Sequence, residues 1–267
     1  MKFSNPSNSK LKQKLDNALG ASERVLLCTD FDGTLVTFTG VPSETQLPNR
    51  MRKFLTDLAG LDQLHLAIIS GRRFQELSQL VPVDGVTLAG NHGLKIRFRD
   101  GTVYEPEIGE DLKKTIALFN KDIQERFGDK EGIIIENKSF GLALHYRQYD
   151  GNEGKIKDEF YEIWKDHNFS ALEVIEGAKL LEIRPANWNK GDAVQLLQEK
   201  WGGRPTTIYL GDDTTDEDAF RVLQDQNFSF PILVSRDENK GTNAQYRLKD
   251  PSAVGDFLED LYRYFTN

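Results

Sequence analysis

One cysteine, two methionines and three tryptophans in 267 residues rule out several kinds of chemistry at the start. Cys28 alone cannot close an internal disulfide, and its place inside an apolar run marks it as a buried structural thiol rather than a reactive one. No stretch approaches the roughly 18 consecutive apolar residues of a membrane-spanning helix. The opening Met1-Lys2-Phe3-Ser4-Asn5-Pro6 lacks the apolar region of a secretory leader. The sequons Asn137-Lys138-Ser139 and Asn168-Phe169-Ser170 therefore carry no weight, and a cytoplasmic home is expected. There is no Cys/His cluster for zinc, no Gly-x-x-x-x-Gly-Lys-Ser/Thr loop and no Gly-x-Gly-x-x-Gly fingerprint. A net charge of −8 argues against nucleic acid or an anionic membrane as the main partner. It also means that any phosphate site must be made positive locally, by metal, lysine and backbone N–H groups.

What is present is ordinary in bulk and specific in detail. With 38% hydrophobic and 28% charged residues, the chain can bury a core and suits one large or two modest domains. The apolar run Val25-Leu26-Leu27-Cys28 reads as a buried strand and leads into Asp30-Phe31-Asp32-Gly33-Thr34-Leu35. A carboxylate at such a place needs a cation or several hydrogen bonds to stay ionised. A bound divalent cation, with one Asp free as a nucleophile, explains the pair, although Asp and Gly are also common at plain strand-to-turn junctions. Gly33 permits a sharp turn, and Thr34 with its neighbouring N–H groups can face a phosphate.

Three companions follow in order. Ser70-Gly71-Arg72 succeeds the apolar run Leu64 to Ile69; Asn189-Lys190-Gly191 precedes a helix; Gly211-Asp212-Asp213-Thr214-Thr215-Asp216-Glu217-Asp218 succeeds Thr207 to Leu210. In an open α/β sheet the carboxyl ends of strands are where ligands bind. Ser70 can donate to a phosphoryl oxygen or simply cap a helix. Arg72 can bind phosphate, pair with a carboxylate or face solvent. Lys190 can approach an anion beside a helix N-terminus and steady the charge of Asp30. Asp212 sits where a metal ligand is expected, with Asp213 behind it or acting through water. Thr215 and Asp218 fit a capping box, which leaves Glu217 and Asp218 structural.

Strand and helix alternate over Val25–Asp30, Asn49–Leu58, Leu64–Ser70 and Phe74–Leu80, after a leading helix striped by Leu11, Leu15 and Leu19. Such alternation indicates a Rossmann-like parallel sheet covered by helices, an α/β core. The texture changes near Asp100-Gly101. Strands at Ile96–Arg99, Gly132–Ile135, Phe140–Tyr146 and Leu180–Ile183, with helices near 110–127 and 154–167, describe a mixed α+β cap inserted over 102–185 between core segments 1–101 and 186–267. Alternation puts Gly141, Ala143, His145 and Arg147 on one face of a cap strand, opposite Phe140, Leu142, Leu144 and Tyr146. Small residues with a polar end suit a bulky polyhydroxylated ligand, or an exposed sheet face.

The four short motifs resemble those of haloacid-dehalogenase-type phosphatases. Within that superfamily, Gly90-Asn91-His92-Gly93, Glu136-Asn137-Lys138, His145-Tyr146-Arg147, Glu182-Ile183-Arg184-Pro185 and the Gly211–Phe220 stretch resemble the trehalose-6-phosphate phosphatases. One position departs: Lys95 stands where that family usually carries Glu. The resemblance implies Mg2+, with Asp30 as nucleophile and metal ligand, Asp32 as general acid/base and metal ligand through its carbonyl, Asp212 as metal ligand, and Ser70 and Lys190 as catalytic partners. It implies substrate contacts from Thr34, Gly71, Arg72, Asn91, His92, Lys138, His145, Arg147, Glu182 and Asp213. The expected protein is a monomer that hydrolyses a sugar phosphate. The alternatives are another sugar phosphate, such as one of glucosylglycerol, glucosylglycerate or sucrose, and a phospho-Asp signalling module.

Overall fold

The computed structural model describes residues 9–37, 45–167, 169–202 and 205–267; the opening six residues and Asn168 of the second sequon lie outside them. The chain runs α1 (Ser9–Ala21), β1 (Val25–Thr29), α2 (Asn49–Ala59), β2 (Leu64–Ile69), α3 (Phe74–Leu80), β3 (Thr87–Gly90), β4 (Lys95–Arg97) and β5 (Val103–Tyr104). There follow α4 (Glu110–Phe127), β6 (Ile134–Lys138), β7 (Gly141–His145), α5 (Glu153–Asp166), β8 (Leu172–Gly177) and β9 (Leu180–Pro185). The last stretch is α6 (Lys190–Trp201), β10 (Thr206–Gly211), α7 (Glu217–Leu223), β11 (Ser229–Val234), β12 (Tyr246–Leu248) and α8 (Pro251–Thr266). Two compact units result, one of Met1–Glu105 with Asn189–Asn267 and one of Pro106–Trp188. The crossing expected at residue 102 falls later, because β5 pairs with β4 at the edge of the first sheet.

The first unit holds an eight-stranded sheet in the order β12-β11-β10-β1-β2-β3-β4-β5. Pairing is parallel from β12 to β3 and antiparallel from β3 to β5. Every residue of β1, β2, β10 and β11 is buried, which is why these strands are largely apolar on both faces. Leu27, Leu66, Ile68, Ile208 and Leu210 pack with helix residues such as Leu55, Leu58 and Phe257 in one core. Strand order reverses at β1, which lies between β2 and β10. The crevice at such a reversal, outside the strand carboxyl ends, is a ligand site by construction.

The second unit has its own core. Leu142 and Leu144 of β7, Leu181 and Ile183 of β9, and Phe119 and Phe160 of the two helices form it. Its sheet is antiparallel in the order β6-β7-β9-β8.

Candidate active site

Asp30 leaves the end of β1 with its N–H bonded to the Leu210 carbonyl of β10 (2.8 Å), so the neighbouring strand fixes where the carboxylate begins. The chain then closes a tight turn, with Gly33 N–H on the Val36 carbonyl (2.8 Å) and Leu35 N–H on the Phe31 carbonyl (2.9 Å). Gly33 has φ +81°, and a Cβ there would lie 2.1 Å from Asp212 Oδ2, so this glycine is demanded both by conformation and by the approach of Asp212.

Lys190 opens α6, whose start is fixed by a capping box between Asn189 and Asp192. Its ammonium is buried and donates to Asp30 Oδ1 (2.7 Å) and Asp216 Oδ1 (2.8 Å). Asp216 is fully buried and also accepts from the Tyr209 hydroxyl (2.7 Å) and from the N–H groups of Asp212 (2.9 Å) and Asp213 (3.0 Å). Burial opposes the Lys190 charge, but the Asp216 and Asp30 carboxylates outweigh it and raise its pKa. Burial pushes the Asp30 carboxyl well above the usual range, with repulsion from Asp216 and Asp212 working against the help of Lys190. Asp212 is pushed up to about 7, first by burial and then by Asp216 and Asp213.

The structure redirects several expectations. The Thr34 hydroxyl, expected to face a phosphate, is buried and donates to Asp212 Oδ1 (3.2 Å). Of the three readings of Arg72, it takes the carboxylate: Nε and Nη2 fork onto both oxygens of Asp32 (2.6 and 2.8 Å), and Nη1 pairs with Glu76. The capping box of the acidic loop joins Asp213 to Asp216 rather than Thr215 to Asp218. Asp213 accordingly spends its side chain on the N–H of Thr214 (2.7 Å). Ser70 Oγ accepts from the Arg72 N–H (3.2 Å). The Ser70–Arg72 loop is zipped to Asn91 and His92, both at positive φ, by Asn91 N–H on the Arg72 carbonyl and His92 N–H on the Ser70 carbonyl (2.8 and 2.9 Å). A Cβ on Gly71 would meet the His92 ring at 2.7 Å, so Gly71 serves this packing.

In the second unit, Glu136, Ala143 and Glu182 are register partners across β6, β7 and β9, and so share one face with Lys138 and His145. Lys138 Nζ donates to Glu182 Oε1 (2.6 Å) with both side chains buried, and His145 Nε2 lies 3.3 Å from Glu136 Oε2. Arg147 is exposed beyond the end of β7 and donates to the Ala178 carbonyl (2.8 Å). Sequence reasoning missed Asp216 and Glu136 as site residues. The signal for Asp216 was its place three residues after the N-cap Asp213, and that for Glu136 was its alternation with Lys138.

Donor atoms of Asp30, Asp212 and Asp216 lie within 4.8 Å of one another. Three clustered carboxylates at a turn cleared of a Cβ, with the pKa values of Asp30 and Asp212 raised, fit a divalent cation.

A mostly parallel sheet with Asp30, Ser70, Lys190 and Asp212 at its strand ends and helix start, an inserted α+β unit and the family match that follows identify a phosphatase of the haloacid-dehalogenase superfamily. The sequence model of the trehalose-phosphatase family matches residues 28–252, and the chain belongs to that family. It is 31% identical to trehalose-phosphate phosphatase B of Arabidopsis thaliana, over 97% of this chain and 71% of that one. It is 32% identical to the probable trehalose-phosphate phosphatase 2 of Oryza sativa subsp. japonica, over 91% of this chain and 69% of that one. Among solved structures, trehalose-6-phosphate phosphatase of Aspergillus fumigatus superposes with a TM-score of 0.70 at 27% identity, covering 95% of this chain and 97% of that one. The C-terminal domain of the C. albicans enzyme superposes at 0.80 with 24% identity, covering 93% and 95%. Membership implies use of a divalent metal. Among the described residues, no helix is long and apolar enough to cross a membrane.

Proposed function

We propose that this chain hydrolyses trehalose 6-phosphate to trehalose and phosphate, as a magnesium-dependent, cytoplasmic monomer. The observation that carries the reading is the buried Asp30–Lys190–Asp216 chain at the carboxyl ends of β1 and β10, in a member of this family.

In the first step a carboxylate oxygen of Asp30 attacks phosphorus and the bond from phosphorus to the sugar oxygen breaks. Asp32 gives its proton to the leaving oxygen. Both oxygens of Asp32 are held by Arg72 in the structure, so this role requires the carboxyl to leave at least one of those contacts. In the second step Asp32 takes a proton from water, the water oxygen attacks phosphorus, and the bond to Asp30 breaks to release phosphate. Lys190 steadies the Asp30 charge between these events, and Ser70 donates to a phosphoryl oxygen. Magnesium held by Asp30 and Asp212, with the Asp32 carbonyl, would supply charge neutralisation at the phosphoryl group. The cap of 106–188 selects the sugar. There Lys138, Glu182 and Glu136 offer charged partners to hydroxyl groups, and His145 lies beside them.

The test is phosphate release from trehalose 6-phosphate, sucrose 6-phosphate, glucosylglycerol phosphate, glucose 6-phosphate and an aryl phosphate, with magnesium and after chelation. Selective, chelator-sensitive hydrolysis of trehalose 6-phosphate, abolished by Asp30→Asn, is expected. Preference for another sugar would retain the two steps and reassign the cap. A stable phosphoryl-enzyme without released phosphate would replace the phosphatase with a signalling module.

A further inference from the structure

Asp212 is held at three points by three different parts of the chain. Its N–H donates to Asp216 Oδ2 (2.9 Å), its Oδ1 accepts from Thr34 (3.2 Å), and its backbone carbonyl accepts from Lys240 Nζ (2.5 Å). Oδ2 is the oxygen turned to the β1 turn, where it closes to 2.1 Å on the Cβ that Gly33 lacks. The first two partners belong to the motifs already described. Lys240 belongs to none of them; it comes from the loop 235–245, between β11 and β12.

That loop is itself tied to the acidic segment. Glu217 accepts from the Thr242 hydroxyl (2.6 Å), the Asn243 N–H (2.8 Å) and the Asn243 side-chain amide (2.9 Å). Arg247 bonds the carbonyls of Asp237 (2.6 Å) and Lys240 (3.1 Å) from the other side. The ammonium of Lys240 is thus delivered to one carbonyl by a braced loop rather than by a free surface side chain. With the N–H and the carbonyl of Asp212 both held, its backbone is fixed in place, and the Thr34 bond to Oδ1 then orients the carboxylate that this backbone carries. A ligand group must be held to within about 0.5 Å to work, and such outer contacts do the holding.

We propose that Lys240, braced by Glu217, is a positioning residue for Asp212 and so sets the affinity of the site for its divalent ion. This rests on the reading of Asp212 as a metal ligand. The probe is Mn2+, with the free ion measured by electron paramagnetic resonance against metal-stripped full-length protein, and with melting recorded in chelator. Lys240→Met is expected to weaken Mn2+ binding about 10–100-fold. Lys240→Arg should recover most of that loss, and the KM of the substrate at saturating metal should stay within about twofold. Glu217→Gln leaves Lys240 intact but loosens its loop, and should weaken binding in the same direction.

A Lys240→Met protein with unchanged melting and an Mn2+ affinity within about twofold of wild type would overturn the proposal. If Lys240→Met does not fold, Glu217→Gln decides, and unchanged affinity there overturns it equally. Asp212→Asn tests the premise separately: if it binds Mn2+ as wild type does, Asp212 is not the ligand and the brace loses its object.

Discussion

Replacing Lys190 by methionine removes the one cation that, among the described residues, touches both Asp30 and Asp216. The side chain of Lys190 is 2% exposed, that of Asp30 7% and that of Asp216 0%, so no water takes over the lost contacts. Removing one partner from a buried ion pair costs about 3–5 kcal/mol, because the charge left behind has no compensation. Methionine fills a similar volume, so the loss reports charge rather than a cavity. Asp30→Asn acts in the opposite sense: it deletes a carboxyl that burial and its acidic neighbours already disfavour as an anion. In the Asp30→Asn background Lys190→Met strands one carboxylate instead of two. The two changes should therefore couple by about 1–3 kcal/mol, the double mutant being more stable than additivity predicts. The assay is urea unfolding of wild type, both single mutants and the double mutant in chelator, with midpoints compared at a common slope. Phosphate release should fall about 10²–10³-fold in kcat for Lys190→Met, the loss typical of one pre-placed donor at a reacting oxyanion. A Lys190→Met cost below about 1 kcal/mol, or additivity within about 0.5 kcal/mol, would refute the account of the buried triad.

Gly33→Ala should cost about 1–3 kcal/mol for its positive φ and displace Asp212, so activity should fall well beyond the stability loss; a crystal structure with Asp212 unmoved would count against it. His65 is 4% exposed, beside Thr87 and Trp201; burial, then the nearby Arg99, lowers its pKa from 6.5 to about 4, with Asp100 opposing and Lys200 assisting. The folded state thus favours neutral His65, so its contribution is complete above about pH 6.5 and is lost as pH falls toward 4, up to about 3 kcal/mol; a His65→Gln variant should lose this part of the acid sensitivity in urea titrations between pH 7 and 4. In the cap, Glu182→Gln should lower kcat/KM for trehalose 6-phosphate about 10–100-fold and leave aryl phosphate hydrolysis nearly unchanged, since a hydrogen bond to a charged group is worth about 1.5–3 kcal/mol; equal losses on both substrates would take Glu182 out of sugar recognition.

Central strands were legible in the sequence because both their faces are buried. Val25–Cys28, Leu64–Ile69 and Thr207–Leu210 appear as largely apolar runs for that reason. Leu172–Gly177 was not legible: it is a cap edge strand, largely half-buried, with Glu173 and Glu176 interrupting its pattern. In the site, Asp30, Ser70, Lys190 and Asp212 could be read because each sits at a strand end or helix start, where local sequence announces the position. Asp216 could not be separated from its acidic neighbours, because burial distinguishes it and burial there depends on Tyr209 and Lys190 arriving from elsewhere. Arg72 was left open among three partners for the same reason. Its choice of Asp32 is made across 40 residues of chain.

The balance of charge explains how an acidic protein can take an anionic substrate. Asp30, Asp212 and Asp216 stand against Lys190 in one bonded group, and Asp32 and Glu76 against Arg72 in another, so five carboxylates face two cations when all are ionised. A phosphate monoester adds about −1.5 to −2 more at neutral pH. The upward pKa shifts of Asp30 and Asp212 express the same excess from the protein's side. Asp216 is poorly suited to relieve it by binding metal, because its two oxygens already accept from Lys190, Tyr209 and the N–H groups of Asp212 and Asp213. With Asp30 and Asp212 as the ligands proposed above, both pushed toward neutrality, a divalent ion would offset part of the excess. Asp216 serves instead as the anchor that keeps Lys190 on Asp30 and the Asp212 backbone in place. On this argument Asp216→Asn should retain measurable Mn2+ binding while losing turnover, whereas Asp212→Asn should lose both; loss of Mn2+ binding by Asp216→Asn to the level of Asp212→Asn would make Asp216 a ligand after all.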